Sequence, residues 1–221
     1  MKIADGETIV FTGDSITDCG RSRPVGRGTG LGAGYVGWVD SLLSAYYPQR
    51  RIRVLNTGIS GNRVIDLEAR WRADVLDLRP QWLSVMIGIN DVWRQFDSAL
   101  EPNQVPLERY EKVYREILAQ ARPQLRGLVL MTPYFIEANR NDPMRQMMDS
   151  YGGVVERLAR EFAAVYVDVQ AAFDRYLEHR PTQSLCGDRI HPNQAGHTLI
   201  ASAFLSAIGF DWGMAEQPID R

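Results

Sequence analysis

Hydrophobic and polar positions fall into two alternating kinds of block along this chain. Thr8 to Thr12 (TIVFT), Ile52 to Leu55, Trp82 to Ile87 (WLSVMI), Leu128 to Met131 and Val165 to Val169 are short apolar runs, the pattern of strands buried on both faces. Between them, Tyr35 to Tyr46 carries apolar residues at helical spacing and stops at Pro48. Val64 to Leu78 reads as a helix ending before Pro80, and Leu107 to Ala121 as one ending before Pro123. Met144 to Phe162 predicts a long helix, and two more are expected near Ala171 to His179 and Asn193 to Ile208. Five short strands separated by helices predict an α/β fold, a three-layer sandwich with a five-stranded parallel sheet covered on both faces. No internal repeat, low-complexity tract or linker-like stretch interrupts the pattern, so residues 1–221 read as one domain. The crossovers are expected to be right-handed, and a ligand is expected beyond the carboxyl ends of the strands.

That rule directs attention to the segment after each strand. Gly13-Asp14-Ser15-Ile16-Thr17-Asp18 comes after the first, Asn56-Thr57-Gly58-Ile59-Ser60-Gly61-Asn62 after the second, and Gly88-Ile89-Asn90-Asp91 after the third. Asp188-Arg189-Ile190-His191-Pro192 lies near the carboxyl end of the chain and can join them across the surface. Together these segments hold what acyl transfer needs. A serine hydroxyl such as that of Ser15 is a poor nucleophile until a base takes its proton, and His191 suits that role. Asp188, three residues earlier, can orient the imidazole and stabilise its positive charge, with Pro192 suited to starting the helix behind it. The Ser15 N–H, the Gly61 N–H and the Asn90 side-chain amide can hold the oxyanion. Each piece has a blander reading. Gly-Asp-Ser is a common turn, Gly58 and Gly61 fit turns, Asn90 can cap a helix, and Asp188 can cap or turn the chain. The conjunction of four segments in a sensible order carries the inference.

Composition narrows the function classes. The chain has 25 basic and 27 acidic residues and a formal charge of -2, with no long run of one sign, which argues against nucleic acid and anionic membrane as partners. Asp5 and Glu7 interrupt any apolar leader, and no apolar run approaches the ~20 residues of a membrane span, so a cytoplasmic enzyme is expected. Cys19 and Cys186 form no disulfide framework and suggest thiols in a reducing compartment. If the two blocks converge, these thiols are neighbours. Three scattered histidines make a metal site improbable, and His179 and His197 lack an acid three residues before them. Gly28 to Ala33 (GTGLGA) fits a dinucleotide fingerprint only formally, since it lies well beyond the strand-helix turn, and Arg21 to Gly34 reads as a flexible loop bordering the site. No cofactor is expected.

The four blocks GDSIT, NTGISGN, GIND and DRIHP resemble those of the SGNH (GDSL-type) hydrolases, with Ser15, Gly61, Asn90 and His191 as the name-giving residues. The resemblance implies a five-stranded, flavodoxin-like sheet and metal-free ester hydrolysis. The stretches GDSITDCGR, GYVGWVDSLL, ARW, MIGINDVWRQ, MTPYFIE, DPMRQMMDSYG and DRIHPNQAGH are similar to the intracellular acetylxylan (acetyl-xylooligosaccharide) esterase branch. That likeness implies a small acetylated carbohydrate as substrate and self-association into a homo-oligomer, with Trp212 in the tail IGFDWGMAEQ either at a subunit contact or over the core. Members of that branch carry Trp just before the catalytic Asp, where this chain has Gly187. After Asn90, Trp93 can stack on a pyranose face or pack within its loop, and Arg94 and Gln95 can hydrogen-bond sugar hydroxyls. Asp14 can fix local hydrogen bonds, orient His191 or contact substrate. The alternatives are another short-chain or lipid ester, a lysophospholipid, or a non-catalytic carbohydrate-binding relative.

Overall fold

A computed structural model describes residues 1–97 and 104–213. Its centre is β1 (Thr8–Gly13), a strand buried along its whole length. On one side β1 pairs in parallel with β3 (Arg53–Asn56), and on the other with β4 (Trp82–Met86). The parallel sheet continues through β5 (Gly127–Met131) to β6 (Val165–Val167). A sixth strand, β2 (Gly26–Arg27), pairs antiparallel with β3 at the edge, so the order is β2-β3-β1-β4-β5-β6. The expected five parallel strands therefore gain a two-residue antiparallel neighbour. It comes from the segment read as a flexible loop, which is tied down by Arg21 donating to the Gly58 and Pro24 carbonyls and by Asn56 Nδ2 donating to Leu31 O.

Helices cover both faces. α2 (Tyr35–Tyr46) packs with α8 (Gln194–Ala207), which also meets α7 (Val169–Leu177). On the opposite face α3 (Val64–Trp71), α5 (Leu107–Ala121) and α6 (Pro143–Glu161) lie side by side. The strands that these layers bury are almost wholly apolar, with Val10, Phe11, Leu83, Val85, Val129 and Leu130 all inaccessible. α6 begins where the sequence provides a cap and a pre-set first residue: Asp142 accepts from the Met144 and Arg145 N–H groups, and Pro143 comes next.

Three boundaries differ from expectation for local reasons. Asp168 caps α7 by accepting from Ala171 N–H, so β6 stops at Val167 and the helix starts at Val169. The helix expected to run to Leu78 widens after Trp71 into a π-helical turn over Arg72–Leu76. α8 is capped by Asn193, whose Oδ1 accepts from Ala195 and Gly196, and Pro192 stands outside it. An unexpected helix, α4 (Ile89–Asp97), comes soon after β4. The residues beyond Asn90 thus sit on a helix, not in a loop.

β1 lies between β3 and β4, and the chain leaves β1 through α2 on one face but leaves β4 towards α5 on the other. This is the switch point at which such sheets open a crevice beyond their carboxyl ends. No helix among the described residues is long and apolar enough to cross a membrane.

Candidate active site

Ser15 stands at the start of α1 (Ser15–Asp18), a single turn that begins just after β1 ends. The chain turns sharply here because Asp14 accepts from Ile16 N–H through its side chain and from Thr17 and Asp18 N–H through its carbonyl. Gly13 is required for close approach, since a Cβ there would collide with Met86 O. As the first residue of the turn, Ser15 has an N–H without an intrahelical acceptor.

The imidazole of His191 faces the hydroxyl, with Ser15 Oγ 3.0 Å from Nε2. On its other side Nδ1 lies 2.6 Å from Asp188 Oδ2. The Asp188–His191 turn is built around the same carboxylate: Oδ1 accepts from Ile190 N–H at 3.0 Å and His191 N–H at 2.9 Å. Partial desolvation pushes the Asp188 carboxyl up, but the hydrogen bonds from His191 and Ile190 outweigh it and hold the group below its ordinary value. With Nδ1–H given to Asp188, Nε2 is the acceptor that Ser15 Oγ–H needs. Arg189 within this turn takes a left-handed φ of 64°, a strained conformation for a side-chain-bearing residue. The turn is held from the segment after β5: Tyr134 OH donates to Ile190 O, and Ile136 N–H to Arg189 O. The Arg189 guanidinium pairs with Glu137 at 2.7 Å and lies over the Phe135 ring. The MTPYFIE stretch, singled out in the sequence only by its family likeness, is therefore the cradle of the Asp188–His191 turn.

The third wall comes from the segment after β3 and the start of α4. Asn56 is buried and stitches this wall to α1, donating to Thr17 O and accepting from Gly58 N–H. Asp18 adds a second tie, accepting from the N–H and hydroxyl of Ser60 while paired with Arg23. Gly61 has a φ of 80°, the left-handed region that favours glycine. Asn90, 3% exposed, donates one Nδ2 hydrogen to Asn62 O at 3.0 Å, leaving the second available to a ligand. Asp91 sits beneath, accepting Val64 N–H at 3.0 Å. Burial pushes its carboxyl up to about 8 and that of Asp14 up to about 7.

Two expected substrate contacts are corrected. Asp14 is 0% exposed, and its Oδ1 is spent on Ile16 N–H, so it lies under the site and cannot reach a substrate. Gln95 is consumed internally, donating to Asp91 O, Val105 O and the Tyr151 hydroxyl. Trp93 is half-buried and meets the His191 ring edge-on, with centroids 6.0 Å apart. Arg94 pairs with Asp97 at 2.8 Å and lies over Trp93. Phe96, unremarked in the sequence, is 46% exposed and lines a groove of about 300 Å³ with Trp93, Asp97, Asp142 and Arg189. Ile89, Val92, Trp93 and Phe96 recur at helical spacing, a signal that points to this helix. A larger cleft, of about 690 Å³, runs along β3 by Arg27, Arg53 and Arg79 and holds none of the candidate residues.

Cys19 and Cys186 are both free thiols. Cys19 Sγ lies 3.4 Å from His197 Nε2, and His197 Nδ1 accepts from Tyr35 N–H. Burial lowers His197 to about 4, so it is a neutral packing residue at ordinary pH. His179 lies on the surface beyond α7. No group of His, Cys, Asp and Glu among the described residues has a metal-binding arrangement. Trp212 packs on Phe210 and Tyr46 while remaining 43% exposed, and Met214 to Gln217 of the same tail lie outside the described residues.

Comparison with known proteins shows the family of this chain. Residues 11–199 match the model of the GDSL-like Lipase/Acylhydrolase family. The chain is 51% identical over 215 residues to an acetylxylan esterase of Geobacillus stearothermophilus, covering 96% of this chain and 98% of that one. The crystal structure of that esterase superposes with a TM-score of 0.95, at 51% identity and the same coverage of 96% and 98%. An alpha/beta hydrolase enzyme from the metagenome of Lake Arreo, Spain, is 50% identical with a TM-score of 0.93, covering 95% of this chain and 98% of that one. Solved structures of the Geobacillus enzyme include catalytic mutants in which a serine, a histidine or an aspartate is replaced by alanine. Another replaces a tryptophan directly before that aspartate, and an acetyl-xylooligosaccharide esterase is what that protein is called.

Proposed function

This chain belongs to the GDSL-like lipase/acylhydrolase family, and from that premise we propose that it removes acetyl groups from acetylated xylo-oligosaccharides, with Ser15, His191 and Asp188 as its catalytic residues. The observation that carries the proposal is the continuous path Ser15 Oγ–His191 Nε2 and His191 Nδ1–Asp188 Oδ2, at 3.0 and 2.6 Å, in a close relative of an acetylxylan esterase. Ser15 attacks the acetyl carbonyl as His191 takes its proton, and Asp188 stabilises the imidazolium. The N–H groups of Ser15 and Gly61 and the Asn90 amide receive the oxyanion. His191 then protonates the departing sugar oxygen, and water activated by the same imidazole releases acetate.

The openness of the site suits a bulky alcohol. Side chains of Asp188 and His191 are each 45% exposed, and Trp93, which lines the groove with Phe96, meets the His191 ring edge-on. Aromatic faces flanked by Asp97, Asp142 and Arg189 offer a pyranose ring both stacking and hydroxyl partners. Arg94 borders the same wall from α4. At Gly187 an added Cβ would meet nothing within 4 Å, so the position taken by tryptophan in that branch is open here. Two free thiols support a reducing, cytoplasmic setting, and the exposed Trp212 supports self-association. No nucleic-acid partner is part of the proposal.

The test is a rate profile over 4-nitrophenyl esters of increasing acyl length, with acetylated xylo-oligosaccharides alongside. The proposal expects acetyl esters to be preferred and acetate to be released from the oligosaccharides. A strong preference for long acyl chains would transfer the reading to lipid esters.

A further inference from the structure

We propose that Arg70, on α3 and outside the four catalytic blocks, is a positioning residue that holds the oxyanion side of the site in register with Ser15. The proposal rests on the esterase reading above. The Arg70 side chain is 15% exposed, and its guanidinium is occupied by protein acceptors. It reaches three acceptors on two segments, the end of β1 and the loop after β3. Nε donates to Asn62 Oδ1 at 2.7 Å, Nη1 to Thr57 O at 2.6 Å and Nη2 to Gly13 O at 3.1 Å. Nη1 also donates to Asp74, one turn further along the chain.

The acceptors are the informative part. Gly13 O closes β1 two residues before the nucleophile, and it also receives Ile59 N–H at 3.0 Å. Thr57 O begins the loop that carries Gly61. Asn62 comes directly after Gly61, and its backbone carbonyl is the acceptor for Asn90 Nδ2. One rigid, planar cation therefore fastens the carboxyl ends of β1 and β3 to the Gly61–Asn62 turn, and through Asn62 it reaches the Asn90 amide. A lysine has no fork and cannot satisfy these acceptors together. Asp74 balances the charge, so what Arg70 supplies is geometry. Oxyanion donors act only when held within about 0.5 Å of their working position. Acylation and deacylation both pass through an oxyanion, so a displaced donor lowers kcat whichever step limits the rate.

Four variants test this on 4-nitrophenyl acetate, each assayed well below its Tm. Arg70→Met should lower kcat by roughly 10²-fold while KM moves less than about threefold, the pattern of an interaction felt in the transition state. Asn62→Ala removes one of the three acceptors and keeps the backbone carbonyl for Asn90. It should lower kcat by about tenfold, and it reports even if Arg70→Met fails to fold. Arg70→Lys should fall between wild type and Arg70→Met. Asp74→Asn breaks the ion pair but leaves the three acceptors; it should lower Tm and leave kcat within about twofold. Wild-type kcat in both Asn62→Ala and whichever Arg70 variant folds would overturn the proposal. So would an Asp74→Asn loss equal to that of Arg70→Met, which marks a general structural role. Ser15→Ala, run alongside, separates the two readings: if it is inactive while the Arg70 and Asn62 variants are unimpaired, only this inference falls.

Discussion

Replacing Asp188 by asparagine separates an orienting carboxylate from one that merely shapes a turn. In the native site Oδ1 receives Ile190 and His191 N–H at 3.0 and 2.9 Å, and Oδ2 faces His191 Nδ1 at 2.6 Å. An asparagine in the same rotamer keeps its carbonyl on the two backbone donors. Its amide nitrogen then replaces Oδ2 and presents a hydrogen to Nδ1. The imidazole responds by moving its own proton to Nε2, which can no longer accept from Ser15 Oγ 3.0 Å away. The turn survives and the base is lost. The tautomeric error is worth about 10⁴-fold in kcat, or roughly 5.5 kcal/mol of barrier. Because the Asp188 side chain is 45% exposed, the stability cost should stay within about 1 kcal/mol. The assay is kcat on 4-nitrophenyl acetate near neutral pH, with Tm measured on the same preparation. A variant that keeps more than a tenth of wild-type kcat would refute the orienting role and reduce Asp188 to a turn residue.

The same geometry has other consequences. Asn90→Ala removes a donor that is already half-anchored by Asn62 O, and kcat should fall by about 10²–10³ with little change in KM; an unchanged kcat would remove Asn90 from the oxyanion hole. Burial holds Asp91 up at about 8 and Asp14 up at about 7, against an ordinary 3.8, so the folded chain binds these protons more tightly than the unfolded one. Their contribution to stability is complete below about pH 4 and is lost as pH rises towards 8. Asp91→Asn keeps an acceptor for Val64 N–H and removes one titration, so Tm should decline less between about pH 5 and 8.5 than in wild type; parallel slopes would contradict it. Trp93→Ala should raise KM for acetylated xylo-oligosaccharides by roughly tenfold and leave 4-nitrophenyl acetate nearly untouched. Equal effects on both substrates would show that Trp93 braces His191 instead.

Much of this architecture was legible because parallel strands buried on both faces leave an unbroken apolar signal. The five such runs are β1, β3, β4, β5 and β6, and their carboxyl ends locate the site. Serine, aspartate and histidine in the motif blocks were legible for a different reason: spacing within a single turn, as in Asp188–His191, is a local property. β2 could not be found, since two residues at an edge carry no periodicity. α4 could have been, because Ile89, Val92, Trp93 and Phe96 form a helical stripe, but the polar residues around Asn90 suggested a loop. Asp14 misled because an acid beside a nucleophile is chemically suggestive, and only tertiary packing reveals that it is buried. Arg70 illustrates the remaining gap: its acceptors in the site lie 8 to 57 residues away, a relation that no sequence window contains.

The central claim concerns Ser15 acting on an acetylated sugar, and acetate release tests it directly. Wild type and Ser15→Ala are each incubated with acetylated xylo-oligosaccharides, and free acetate is measured over time, with circular dichroism to establish that both are folded. The account predicts steady release by wild type and a loss of at least about 10⁴-fold in the folded variant. Sustained acetate release by folded Ser15→Ala, or none by wild type, would contradict it.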